Sequence, residues 1–205
     1  KDIFVSCSGY FLDTIEKRKF ELNDCQFSYR SSIFKKSLRN KFLITEVVLK
    51  LSKTNHKISK SYKSINDALN KKKIHNPTIK DIARIVSKIR ENKLPNPSLI
   101  GNSGSFFKNP IVSIELLNKL KQKFSKLVYF KESVSKYKLS AAWLIENCNF
   151  KNIEEKNVGV YKNQALVIIN LGNATGKDIL LFSEKIKSTV LEKFDILLEE
   201  EVNII

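Results

Sequence analysis

The sequence predicts an α+β protein, on three observations. Residues 1–51 are dominated by short apolar and β-branched runs of strand length. Residues 78–93 and 175–194 place apolar side chains at helical spacing behind capping residues. Helices and strands then mix irregularly along the chain, the mark of the α+β and mixed α/β classes.

The elements follow in order. "FVSCSGYFLD" (4–13) reads as strand interrupted by a Ser-Gly turn, and "RKFELN" (18–23) as a second strand. "CQFSYRSSIFKK" (25–36) is too interrupted to be a regular strand. "KFLITEVVLKL" (41–51) is a nearly continuous apolar run, fit for a sheet buried on both faces. Residues 52–77 are polar and lysine-rich, an excursion with a short helical possibility around Ile65–Leu69 and a stop at Pro77.

"TIKDIARIVSKIRENK" (78–93) is a helix with a capping box at Thr78 and Asp81 and an apolar face of Ile79, Ile82, Ile85, Val86 and Ile89. Pro95 and Pro97 fix an extended path where it ends, which marks a domain boundary. "SIELLNKLKQKF" (113–124) and "SAAWLIENC" (140–148) are further helices, the second capped by Ser140. "NVGVYKNQALVIINLG" (157–172) reads as two strands joined at Lys162-Asn163. A long helix runs from Thr175 and Asp178 to Phe194, and "DILLEEEVNII" (195–205) reads as a closing strand. Alternation in that strand puts Glu199 and Glu201 on one face and Glu200 on the other, a pattern that by itself describes a solvated face.

Composition narrows the function. With 205 residues and 42% hydrophobic content the chain can bury a core, as one large domain or two small ones. No run approaches the roughly 18 apolar residues of a spanning helix, and the amino end lacks the order of a secretory signal. The expectation is a cytoplasmic protein without a membrane partner. Three widely spaced cysteines and two histidines argue against a disulfide framework or a zinc site.

A formal charge of +16 would ordinarily point to a polyanion. Here the lysines are diffuse, and Lys71–Lys73 has no aromatic residues interleaved for base stacking, so no nucleic-acid partner is expected. Methionine is absent even at position 1, which leads to the expectation of a processed chain or a piece of a longer one.

Two glycine-containing stretches invite chemistry. "GNATGKD" (172–178) falls one residue short of a phosphate loop and has Asp178 where a hydroxyl would meet magnesium, so it reads as a strand exit and helix cap. "IGNSGSFFKNP" (100–110) holds two of the six glycines. Gly101 and Gly104 allow positive φ and close approach of a ligand, Ser105 follows in a tight turn, and Phe106 and Phe107 can anchor it. On these grounds alone an anchored turn and a ligand site are equally open.

"KLPNPSLIGNSGSFFKNP", "KLSAAWLIENC", "VYKNQALVIIN" and "CQFSYRSSIFK" together resemble the UDP-N-acetylenolpyruvoylglucosamine reductase (MurB) family. The resemblance runs over essentially the whole chain but covers only the later part of the family's length. It implies an N-terminally truncated type I member: residues 1–94 as the C-terminal part of the FAD-binding region, with a tyrosine loop at about 52–77, and residues 95–205 as the substrate-binding domain.

Carried over by motif, the catalytic serine falls on Ser105, the arginine on Arg30 and the glutamate on Glu201. The family often has proline where Glu200 stands, so a one-residue slip would choose a different glutamate. Substrate contacts fall on Lys93, Asn109, Gln164 and Tyr62, and Tyr29 and Gly104 fall near the flavin.

The implied cofactors are FAD and NADPH, and the implied substrate is UDP-N-acetylglucosamine enolpyruvate, reduced to UDP-N-acetylmuramate for peptidoglycan by a monomer. Hydride reaches C3 of the enolpyruvyl ether, and the enolate is then protonated at C2. Arginine suits the substrate carboxylate, a protonated glutamate suits the enolate, and a positioned serine can deliver the proton. The alternative is a flavin-free UDP-sugar-binding fragment without turnover.

Overall fold

The computed structural model describes residues 1–56, 58 and 62–205. The chain divides into two compact units, Lys1–Ser59 and Lys60–Ile205. Residues 57 and 59–61 of the predicted tyrosine loop lie outside the described residues.

In the first unit, β1 (Phe4–Phe11) lies between β2 (Lys17–Glu21) and β3 (Phe42–Leu49), all antiparallel. Ser8-Gly9 does not interrupt β1, as its sequence suggests. It marks a register irregularity against β3, where a Cβ on Gly9 would stand 2.0 Å from the Leu43 carbonyl oxygen. Glycine there serves close strand approach, the other reason a strand tolerates it. Cys7, Phe20, Cys25 and Ile33 form the small core, joined by Phe27, Phe34 and Phe42.

β3 departs from the expectation of burial on both faces. Leu43, Val47 and Leu49 are 54%, 53% and 50% exposed, and among the described residues β3 pairs with β1 alone. Its apolar run dictates a strand, whereas burial depends on what packs over that strand. An apolar strand with one open edge templates pairing with another chain. At tens of micromolar the 205-residue polypeptide is therefore expected to self-associate, and Val47→Lys to suppress it, in sedimentation velocity. A monomeric unsubstituted chain at those concentrations would count against this reading.

The second unit opens with α1 (Lys63–Lys71) and α2 (Ile79–Lys93), which pack through Ile65, Leu69 and Ile85. α2 has the predicted capping box: Asp81 N–H donates to Thr78 Oγ1 at 3.2 Å and Thr78 N–H to Asp81 Oδ2 at 2.9 Å.

Two antiparallel sheets follow. One joins β4 (Gly101–Ser105), β10 (Val167–Asn170), β9 (Val158–Val160) and β8 (Glu154–Glu155) in the order β4-β10-β9-β8. The other joins β5 (Ile111–Ser113), β7 (Lys136–Leu139) and β6 (Tyr129–Lys131) in the order β5-β7-β6.

Helices α3 (Ile114–Lys123), α4 (Ala141–Asn147) and α5 (Gly176–Phe194) complete the unit. α5 turns Phe182, Ile186, Val190 and Phe194 into the core at four-residue spacing, where they join Leu117, Leu144, Ile145, Val158 and Val160. Each such side chain contributes about 1.5–3 kcal/mol through burial. The class is α+β, as the sequence predicts.

Two local expectations are corrected. Residues 101–105 form a strand paired with β10 rather than a tight turn, with only Gly104 in the left-handed region. Residues 195–205 form no regular strand and keep one isolated bridge, Phe107 to Glu200. In both places the hydrogen-bond partner is remote in sequence, so local pattern cannot reveal it.

Candidate functional site

Ser105 ends β4 opposite Val167 of β10, and the next amide, Phe106 N–H, donates to the Leu166 carbonyl at 2.7 Å. Just before it, Gly104 adopts φ +72°. Asn102 secures that bend: its Oδ1 accepts from Gly104 N–H at 3.0 Å, and its Nδ2 donates to the Ile100 carbonyl at 2.9 Å. Sequence reasoning missed Asn102, although an asparagine two residues before a glycine is a signal for this side-chain turn. Phe106 and Phe107 are buried edge to face with centroids 5.1 Å apart, so they do anchor the segment.

A Cβ at position 104 would meet nothing within 4 Å, so the backbone angle alone demands glycine there. Gly104→Ala is expected to lower unfolding free energy by roughly 1–2 kcal/mol, read as a lower urea midpoint at unchanged slope. An unchanged midpoint would show that this bend relaxes freely.

The same segment meets the end of the chain. Lys108 N–H donates to the Glu199 carbonyl at 2.8 Å, and Glu201 N–H donates to the Phe106 carbonyl at 2.7 Å. Glu201 is thus hydrogen-bonded to the residue that follows Ser105, and both Glu201 and Ser105 are half-buried. The three glutamates are told apart by partner: Glu199 pairs with Lys108, and Glu200 with Lys187 at 2.8 Å.

Partial burial by itself raises the Glu200 carboxyl, but the Lys187 hydrogen bond, its own amide and the Lys187 and Lys108 charges outweigh burial and hold it below the usual glutamate range. Lys187 is shifted upward by its hydrogen bonds to Glu200 and Glu184. The stability carried by the Glu200 carboxylate is therefore present above the ordinary glutamate range and lost as pH falls through its lowered native value.

The third side of the site is the loop between β9 and β10. Gln164 N–H donates to the Tyr161 carbonyl at 3.1 Å, and Asn163 Nδ2 donates to the Asn92 carbonyl at 2.9 Å. That bond sets Gln164 and Lys93, each one residue away, at the same junction. Asn109 Oδ1 accepts from Ala141 N–H at 2.9 Å, which fixes the start of α4.

Backbone pairing thus ties the Gly104-Ser105 segment to β10 and Glu201 to Phe106, while Lys93 and Gln164 each neighbour the Asn163–Asn92 bond and Asn109 is tied by its side chain to the start of α4. Tyr62 is the residue before α1 and is 69% exposed. Among the described residues no cluster of His, Cys, Asp and Glu is placed to hold a metal ion.

In the first unit, Ser28 and Ser31 exchange backbone hydrogen bonds of 3.0 and 3.2 Å, leaving Tyr29 and Arg30 at the tip of a two-residue turn. Arg30 has φ +52°, and its guanidinium lies 5.7 Å from the Tyr29 ring centroid. This turn position ordinarily selects glycine or asparagine.

A sequence model of the family described as "UDP-N-acetylenolpyruvoylglucosamine reductase, C-terminal domain" matches residues 96–205. The chain belongs to this family. A UDP-N-acetylenolpyruvoylglucosamine reductase from Flavobacterium johnsoniae is 46% identical over 205 residues, which are 100% of this chain and 61% of the relative. One from Amoebophilus asiaticus is 40% identical over 204 residues, 100% of this chain and 60% of the relative.

The crystal structure of UDP-N-acetylenolpyruvylglucosamine reductase (MurB) from Thermus caldophilus shares the fold, with TM-score 0.58 and 19% identity over 98% of this chain and 53% of that one. The chain spans about 60% of the length of the curated relatives it matches. No helix among the described residues is long and apolar enough to cross a membrane.

Proposed function

We propose that this chain supplies the proton-donating and substrate-holding parts of an FAD-dependent reductase. In this reading the enzyme uses NADPH to convert UDP-N-acetylglucosamine enolpyruvate to UDP-N-acetylmuramate in the cytoplasm, for peptidoglycan synthesis. The observation that carries it is the hydrogen bond from Glu201 N–H to the Phe106 carbonyl, which ties a glutamate to the strand of a serine held beside a positive-φ glycine.

The open space around Gly104 leaves backbone bare for a flat ring to approach, which is what a flavin would need there. FAD, when bound, supplies hydride chemistry that no side chain here provides. Ser105 would donate the proton to C2 of the substrate, Glu201 would donate a hydrogen bond to the developing enolate, and Arg30 would hold the carboxylate bidentately.

Lys93, Asn109 and Gln164, with Tyr62 from the loop before α1, would hold the diphosphate and nucleotide. Residues 1–94 would act with the flavin and, through Arg30, Tyr62 and Lys93, with the substrate, and 95–205 with the substrate, the complete enzyme being a monomer.

The test is a fusion of this chain to the part of the Flavobacterium johnsoniae relative that precedes the aligned region, within the 39% left outside the alignment. The expected result is a flavin absorbance band that bleaches with NADPH and returns on adding the enolpyruvyl substrate. A band that bleaches and never returns with substrate would sink the reading. The second reading is a UDP-sugar-binding polypeptide without flavin. Calorimetric binding of the substrate by the 205-residue chain in the absence of any flavin band would support it.

A further inference from the structure

We propose that the Lys187–Glu200 ion pair is a positioning device that holds Glu201 against the Ser105 strand, with α5 as its fixed post. Glu200 stands opposite Phe107 between two flanking hydrogen bonds, Lys108 N–H to Glu199 and Glu201 N–H to Phe106. In an antiparallel bridge of that kind the central residue's own N–H and carbonyl point away from the partner segment. Its backbone makes no bond across the bridge, so residue 200 is restrained through its side chain.

That side chain reaches Lys187 at 2.8 Å, and Lys187 also meets Glu184, one turn earlier on α5, at 2.9 Å. Lys187 and Glu200 are 16% and 19% exposed in their side chains, against 53% for Glu184, so the pair with Glu200 is the shielded one. Lys187 follows Ile186, which is wholly buried, and so cannot shift without disturbing the core. After Asp195 the chain has no regular secondary structure of its own to hold Glu201. The inference rests on the reductase reading for its purpose, the placement of Glu201, while its geometry is read on this chain alone.

The experiment is amide hydrogen exchange by NMR on the 205-residue chain. Glu200→Ala and Lys187→Ala are each expected to speed exchange of the Glu201 amide about five- to tenfold, the net weight of one intramolecular hydrogen bond. The Val160 and Val190 amides, remote from the bridge, keep their rates. The double variant is expected to be no faster than either single one.

Lys187→Arg is expected to restore slow exchange because arginine keeps the pair. Glu200→Pro is expected to do so by a different route, since no N–H is needed at this position and the ring restricts φ. Unchanged Glu201 exchange in Glu200→Ala overturns the proposal, and so does equal acceleration at all amides, which marks global loosening. Neither flavin nor substrate enters this measurement. Failed turnover in the fusion thus sinks the reductase reading, and unchanged exchange beside fast turnover sinks the positioning role alone.

Discussion

Replacing Ser105 with alanine in the fusion is expected to slow flavin reoxidation by the enolpyruvyl substrate by about 10²–10⁴-fold, the usual weight of a positioned general acid. Flavin bleaching by NADPH should proceed at the unsubstituted rate, because that half-reaction involves no enolate. The structure makes the substitution clean. Ser105 is half-buried, its backbone is held by pairing with β10, and its neighbours Phe106 and Phe107 anchor the strand independently of the hydroxyl. Stopped-flow absorbance separates the two phases. Equal rates in both halves would remove Ser105 from the reaction, and slowing of both would point to a collapsed flavin site.

Arg30→Gly should move stability and turnover in opposite directions. Arg30 occupies φ +52° at the second position of a two-residue turn, a conformation that costs a side-chain-bearing residue about 1–2 kcal/mol and glycine little. Glycine loses part of that gain to the greater freedom of its unfolded chain, so about 0.5–1 kcal/mol of stabilisation is expected by urea titration. Turnover of the fusion should meanwhile fall by about tenfold or more, as a charge-assisted contact to the carboxylate is lost. Strain kept at a position where glycine fits better is the pattern of a functional residue. A variant that is less stable than the original would show that the guanidinium stacking on Tyr29 outweighs the backbone strain.

The helices were legible because their determinants are local: the Thr78–Asp81 and Thr175–Asp178 boxes and the apolar stripe of α5 each lie within a few turns. The site's own architecture was not. Whether residues 101–105 turn or pair depends on Val167, and the fate of the three glutamates depends on Lys108 and Lys187, all distant in sequence. β3 illustrates the same limit in reverse, since its apolar run is plain in the sequence while its exposure depends on what packs over it. The four ordered motifs carried the resemblance, and the match of residues 96–205 to the family's sequence model bears it out.

The Asn109 contact has a bearing on motion. Because its side chain supplies an acceptor for the first amide of α4, and its neighbour Pro110 accepts from Leu139 N–H at 2.9 Å, the segment after Ser105 is wired into the helix and sheet it precedes. Such a segment opens only together with them, as one cooperative foldon rather than as a loosely tethered loop. The end of β4 at Ser105 is therefore held by the same frame as the helix and sheet that follow it.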